Sequence, residues 1–147
     1  MERFLRDVRE ALMVARNSDG KLVRRPLSPH VQVYRWPLSM ALSITHRVTG
    51  VGLGIGTLLL TGWLLTAATS EAGFERFQYF LGSAFGIFLL FCWTLALVFH
   101  FMTGLRHLWM DTGSGYEETQ YRNTGIAVLA GTAGLTVLIW VVGLIIW

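Results

Sequence analysis

The sequence predicts an all-α fold: an integral membrane bundle of three transmembrane helices with a short N-terminal amphipathic helix. Three apolar runs, about residues 40–69, 80–109 and 125–147, each reach the ~20 residues a helix needs to cross a bilayer. Of the 147 residues, 53% are hydrophobic and only 14% are charged, beyond the usual hydrophobic share of a soluble domain. Nine of the 12 basic residues lie before the first run or at its start. The expected organisation is an N-terminal cytoplasmic segment, 1–24, and a three-span anchor domain, 25–147.

Residues 2–16 place Leu5, Val8, Leu12 and Ala15 on one helical stripe with charges elsewhere, the pattern of an amphipathic helix on a membrane or a soluble partner. Asn17-Ser-Asp-Gly20 is a breaker. All three prolines, Pro26, Pro29 and Pro37, fall within 25–37. That stretch is expected to be extended, with Tyr34 and Trp36 as interfacial anchors. The first span carries Gly50, Gly52, Gly54 and Gly56, two overlapping GxxxG spacings open to a neighbouring helix or a flat cofactor. A first loop is expected over 70–78 and a second over 111–123. The third span has no ionisable residue, so its expected work is packing.

The basic residues set the orientation. Arg3, Arg6, Arg9, Arg16, Lys21, Arg24, Arg25, Arg35 and Arg47 cluster early, whereas the first loop offers Arg76 against Glu71 and Glu75. The positive-inside rule puts the N terminus in the cytoplasm and, after three spans, the C terminus in the periplasm. The second loop then returns to the N-terminal side. No secretory apolar core is found in residues 1–20, and Glu2, Asp7, Glu10 and Asp19 argue against a mitochondrial leader. A bacterial inner membrane is expected. No basic stripe remains for nucleic acid once topology is accounted for. Cys92, the single cysteine, reads as a small packing residue.

Chemistry concentrates on few residues. His100 lies inside the second apolar run, where ionisable groups are costly and mark partners, cofactors or proton paths. His107 follows Arg106, about 10 Å further along the helix on nearly the same face. Ser43, His46 and Arg47 open the first span and return to the same interface. Gly104, one turn after His100, leaves room for a flat group. Phosphate-binding loops, CxxC and HExxH are absent, and the scattered histidines do not suit structural zinc. A b-type haem would use His100 as an axial ligand and His46, Arg47, Arg106 and His107 as partners for its propionates, since guanidinium pairs well with carboxylate. The competing reading of His100 is a helix-to-helix hydrogen bond, and that of the cations is interfacial snorkelling. Ser43 and Arg47, four residues apart, share a helix face and could donate to a quinone headgroup. Alternatively, Ser43 bonds back to its own helix.

The stretches Arg25-Pro-Leu-Ser-Pro-His-Val-Gln-Val-Tyr34, Ser43-Ile-Thr-His-Arg-Val-Thr-Gly50 and His100-Phe-Met-Thr-Gly-Leu-Arg-His107, with Asp111 following, closely resemble the cytochrome b membrane-anchor subunit of succinate dehydrogenase, respiratory complex II. The resemblance covers about residues 24–147 and leaves 1–20 outside. It implies that His100 is the axial ligand of haem iron. His46 and Arg47 match positions near the haem propionates, and His107 and Asp111 match positions at the haem edge or in a proton path. Ser43 and Arg47 match ubiquinone-site positions. It also implies a second small membrane-anchor subunit that shares the haem and supplies the other ligand, an iron–sulfur subunit and a flavoprotein subunit. The chain alone would not be a complete enzyme. Rival readings are a haem-free structural anchor and the anchor of a quinol:fumarate reductase.

Overall fold

The computed structural model describes residues 13–24 and 35–146. Two compact units divide at Arg35, and each is treated by itself.

In the first unit, strand β1 (Val14–Arg16) pairs antiparallel with β2 (Leu22–Arg24), in the register Val14 to Arg24, Ala15 to Val23 and Arg16 to Leu22. The turn follows from Asn17, whose Oδ1 accepts from the Asp19 and Lys21 amides at 3.1 and 2.9 Å. Such an Asx turn redirects the chain locally. Gly20 sits at φ 76°, a left-handed conformation that suits glycine. The amphipathic helix expected over 2–16 is therefore corrected at its end, because Val14–Arg16 is strand. Residues 2–12 of that expectation, and the Arg25–Tyr34 stretch, lie outside the described residues.

The second unit contains four helices: α1 (Leu38–Thr69), α2 (Glu71–Gly82), α3 (Ala84–Asp111) and α4 (Glu118–Ile146). Three of them, α1, α3 and α4, are long and apolar enough to cross a membrane, as expected. Pro37 precedes α1 at φ −68° and ψ 150°, an extended conformation from which a helix can start. The expected first loop is instead the helix α2. Ser70 caps it by accepting from the Gly73 amide at 3.1 Å. Phe74, Phe77 and Leu81, spaced three and four apart, are half-buried, while Glu71, Glu75 and Arg76 are exposed. Trp63 Nε1 in α1 donates to Gln78 Oε1 at 3.1 Å and ties α2 down. Gly86 makes the corner into α3 possible, since a Cβ there would collide with the Phe80 carbonyl. The second loop is shorter than expected, because α4 starts at Glu118.

Helix α3 is central, packing on both α1 and α4. The buried apolar cluster is Leu42, Phe99 and Val128, one residue from each span, with Leu38 and Met102 against it. Thr103 and Thr132 are buried between them, their hydroxyls donating to Phe99 O and Val128 O at 2.8 and 2.7 Å. These bonds within their own helices let small polar side chains sit in the interface without an unmet donor. Most other large hydrophobics, from Val48 to Ile146, face outward, as lipid-facing side chains must. Cys92 is exposed rather than packed inside.

The glycines of α1 meet different environments. Gly50 and Gly56 face α3 and Gly62 meets Phe77 of α2, whereas Gly52 and Gly54 face open space among the described residues. A Cβ on Gly56 would strike the Trp93 indole, a rigid ring. One on Gly131 would meet the Met102 methyl, the end of a flexible side chain, at 2.6 Å. Gly56→Ala should cost about 1–3 kcal/mol by overpacking and lower the thermal midpoint of the assembled protein, while Gly131→Ala should leave it nearly unchanged. Equal effects of the two would contradict this packing.

Candidate functional site

The first turns of α1 and the last of α3 meet at one end of the bundle, and the start of α4 joins them. Residues 43, 46, 47 and 50 follow the three-and-four spacing of a single helix face. On α3, His100 and His107 are two turns apart on one side, and Arg106 points to the other.

The His46 and His100 rings stack, with centroids 3.9 Å apart and planes 12° from parallel. Gly50 permits this: a Cβ there would stand 3.1 Å from His100 Cε1. His100 Nδ1 lies 3.2 Å from the His46 carbonyl oxygen and 3.3 Å from Thr49 Oγ1. Thr49 Oγ1 itself donates toward the Thr45 and His46 carbonyls, each at 2.9 Å. A carbonyl can only accept and this hydroxyl is already donating, so the network assigns the proton to His100 Nδ1. Its Nε2 is then a lone pair, without a hydrogen-bond partner among the described residues. Thus His100 makes the helix-to-helix bond with one nitrogen and keeps the other available as a ligand. The two roles open to it in the sequence are compatible.

His46 Nδ1 is buried and has no partner among the described residues. Trp93 Nε1 and Thr136 Oγ1 are likewise buried and unpartnered among the described residues, although buried polar atoms are nearly always satisfied. His107 meets the His46 ring edge-on, 5.3 Å between centroids at 63°, and is exposed. Arg47 is exposed and Ser43 half-buried. Neither side chain forms a hydrogen bond or ion pair among the described residues, so Ser43 does not bond back to its helix. Asp111 is exposed at the last residue of α3, one turn beyond His107.

Arg106 behaves differently from the other cations. It is only 7% exposed. Its Nε donates to Thr124 Oγ1 at 3.1 Å and an Nη to the Tyr121 carbonyl at 3.4 Å, with the guanidinium 4.3 Å over the Tyr121 ring. It thus joins α3 to α4 through its Nε and one Nη. Sequence inspection missed Tyr121 and Thr124; their signal was a tyrosine and a threonine three apart on the face of α4 that meets Arg106.

The donor set fits a haem. There is one imidazole with a free Nε2, an orphaned imidazole nitrogen beside it, and exposed Arg47 and His107 at the same end to meet propionates. A metal bound at Nε2 would lie in the plane of the His100 ring, and the stacked His46 covers the face of that ring, not its edge. Among the described residues, nothing lies within 4 Å of a Cβ built on Gly104, Gly52 or Gly54.

Comparison with known proteins identifies the family. Residues 21–139 match the family described as succinate dehydrogenase/fumarate reductase transmembrane subunit. The succinate dehydrogenase cytochrome b556 subunit of Paracoccus denitrificans is 42% identical over 118 residues, 80% of this chain and 91% of that protein. The mitochondrial cytochrome b560 subunit of Bos taurus is 38% identical over 120 residues, 78% of this chain and 69% of that one. The cytochrome b556 subunit of Rickettsia conorii is 31% identical over 118 residues, covering 80% and 92%.

The Arg106 arrangement makes its own prediction. A cation held over an aromatic ring contributes about 0.5–2 kcal/mol. A double-mutant cycle of Arg106→Met and Tyr121→Leu, read by denaturation of the assembled protein, should show coupling of that order. Additive effects would mean that the two side chains act independently.

Proposed function

Since the chain belongs to the succinate dehydrogenase/fumarate reductase transmembrane subunit family, and is thus a membrane anchor of complex II, we propose that it binds b-type haem through His100 and helps form the site where ubiquinone is reduced. The observation that carries this reading is the His100 ring: its Nδ1 is held by the His46 carbonyl and Thr49, which leaves Nε2 to coordinate. Metal-ligating histidines characteristically use their other nitrogen in this way. The bound haem supplies one-electron redox capacity at membrane depth. His46 and His107 donate hydrogen bonds, and Arg47 a charge-assisted pair, to its carboxylates.

With its ring face to face with that of His100 at 3.9 Å, His46 would serve the haem carboxylates rather than the iron. The second ligand comes from a companion small membrane subunit. Iron–sulfur and flavoprotein subunits, docked at the end that carries His46 and His107, deliver electrons from succinate. The early basic residues put that end in the cytoplasm and the C terminus in the periplasm of a bacterial inner membrane.

Quinone reduction requires two electrons and two protons. Ser43 and Arg47 contribute donors that orient the headgroup carbonyls and stabilise negative charge as it develops there. Both are unpaired among the described residues, so no bond seen there need be broken for substrate to bind. Asp111 and His107, near the surface, are placed to relay protons.

One set of variants in the assembled complex tests these roles. In His100→Ala, the reduced b-type absorption bands should be lost or strongly shifted. Removal of a neutral donor costs about 0.5–1.5 kcal/mol and of a charged one about 1.5–3. Ser43→Ala should therefore slow succinate-to-quinone turnover roughly three- to tenfold, and Arg47→Ala roughly ten- to a hundredfold. Succinate oxidation by a dye that takes electrons from the soluble subunits should be unchanged. Normal bands in His100→Ala would refute the ligand, and parallel loss of dye reduction in the other two would assign them to assembly.

A further inference from the structure

We infer that Thr49 is a positioning residue for His100, and that its hydroxyl, with the His46 carbonyl, sets the electron-donating strength of the imidazole on the haem iron. This rests on the haem reading above and assigns a role to a side chain outside the ligand and propionate set.

The argument starts from local structure. Thr49 is half-buried on α1, one residue before Gly50. Its χ1 is restricted by branching and by the bonds of Oγ1 to the Thr45 and His46 carbonyls, each at 2.9 Å. The hydroxyl proton is occupied by these carbonyls, so the oxygen presents lone pairs to His100 Nδ1 at 3.3 Å. The His46 carbonyl, at 3.2 Å from the same nitrogen, is the second acceptor. Two acceptors share one N–H. The hydroxyl is polarised by donating to a carbonyl, which makes its oxygen a better acceptor.

Two consequences follow for a metal at Nε2. Acceptors at Nδ1 draw its proton outward and raise the basicity of Nε2, which favours the more positively charged, ferric iron. They also fix the rotation of the imidazole about its own axis, since the ring must keep Nδ1 aimed between two oxygens on α1. Gly50 is necessary to this contact but cannot tune it, as it offers no polar group to the ring.

The expected result is specific. In the assembled complex, Thr49→Val keeps the branched shape and removes the acceptor. Haem should still bind, but iron should lose some of its ferric preference. A tenfold loss would raise the midpoint potential by about 59 mV for one electron, and the low-spin EPR g values should shift as the imidazole rotates. Thr49→Ser restores the hydroxyl and should return both readouts toward wild type. Should the valine variant not assemble, Thr49→Ala is read the same way. Unchanged potential and g values in an assembled Val or Ala variant would overturn the inference while leaving His100 as ligand. A shift that Ser fails to reverse would also overturn it, since loss of packing would then be the cause. Failure of the haem reading itself would show separately, as a wild-type complex without a b-type spectrum.

Discussion

The contact between His100 and the backbone of α1 is the interaction on which the rest depends. It needs an imidazole at membrane depth, a glycine opposite it and a carbonyl within reach. Gly50 supplies the gap, 3.1 Å from a would-be Cβ to His100 Cε1, and His46 supplies the carbonyl. In a bilayer an unmet N–H costs several kcal/mol, so the ring is held where its donor is satisfied. With Nδ1 engaged on α1, Nε2 has no hydrogen-bond partner among the described residues. The demand that a donor in the membrane be satisfied thereby fixes the tautomer of His100.

The remaining polar groups follow a division of labour. Thr103 and Thr132 satisfy themselves on their own helices and let α3 and α4 approach. Arg106 spends its charge on Tyr121 and Thr124, bracing the last turn of α3 against the first of α4. Among the described residues, Ser43, Arg47, His107 and a His46 ring nitrogen are unpaired at one end of the bundle, and Trp93 Nε1 and Thr136 Oγ1 are unpaired elsewhere in it. Groups already satisfied within and between helices maintain the bundle.

The three spans were legible in the sequence because length and apolarity suffice for them. The convergence of His46 with His107 was legible too, since three spans force the ends of alternate loops to one side. Helix α2 was not. Its 12 residues are too short to span and carry Glu71, Glu75 and Arg76, so composition suggested a loop, and only packing of Phe74, Phe77 and Leu81 makes it a helix. Strand β1 was mistaken for helix because Ala15 extended an apolar stripe, and the Asx turn at Asn17 prevailed over it. Among the site residues, Arg106 looked equivalent to Arg47. Nothing local distinguishes two arginines near an interface; the difference lies in Tyr121, which is 15 residues away and comes close only through tertiary structure. Thr49 and the His46 carbonyl escaped notice for a related reason. A backbone acceptor leaves no mark on residue identity, and a threonine in a helix usually serves its own backbone.

The central claim is that one nitrogen of His100 is held by α1 so that the other meets haem iron. A density map of the assembled complex at side-chain resolution tests it most directly. The account predicts a planar macrocycle with its iron on His100 Nε2, Nδ1 still on the His46 carbonyl, and the opposite ligand from another subunit. Macrocycle density elsewhere, or a His100 ring turned so that Nδ1 faces the iron, would contradict it.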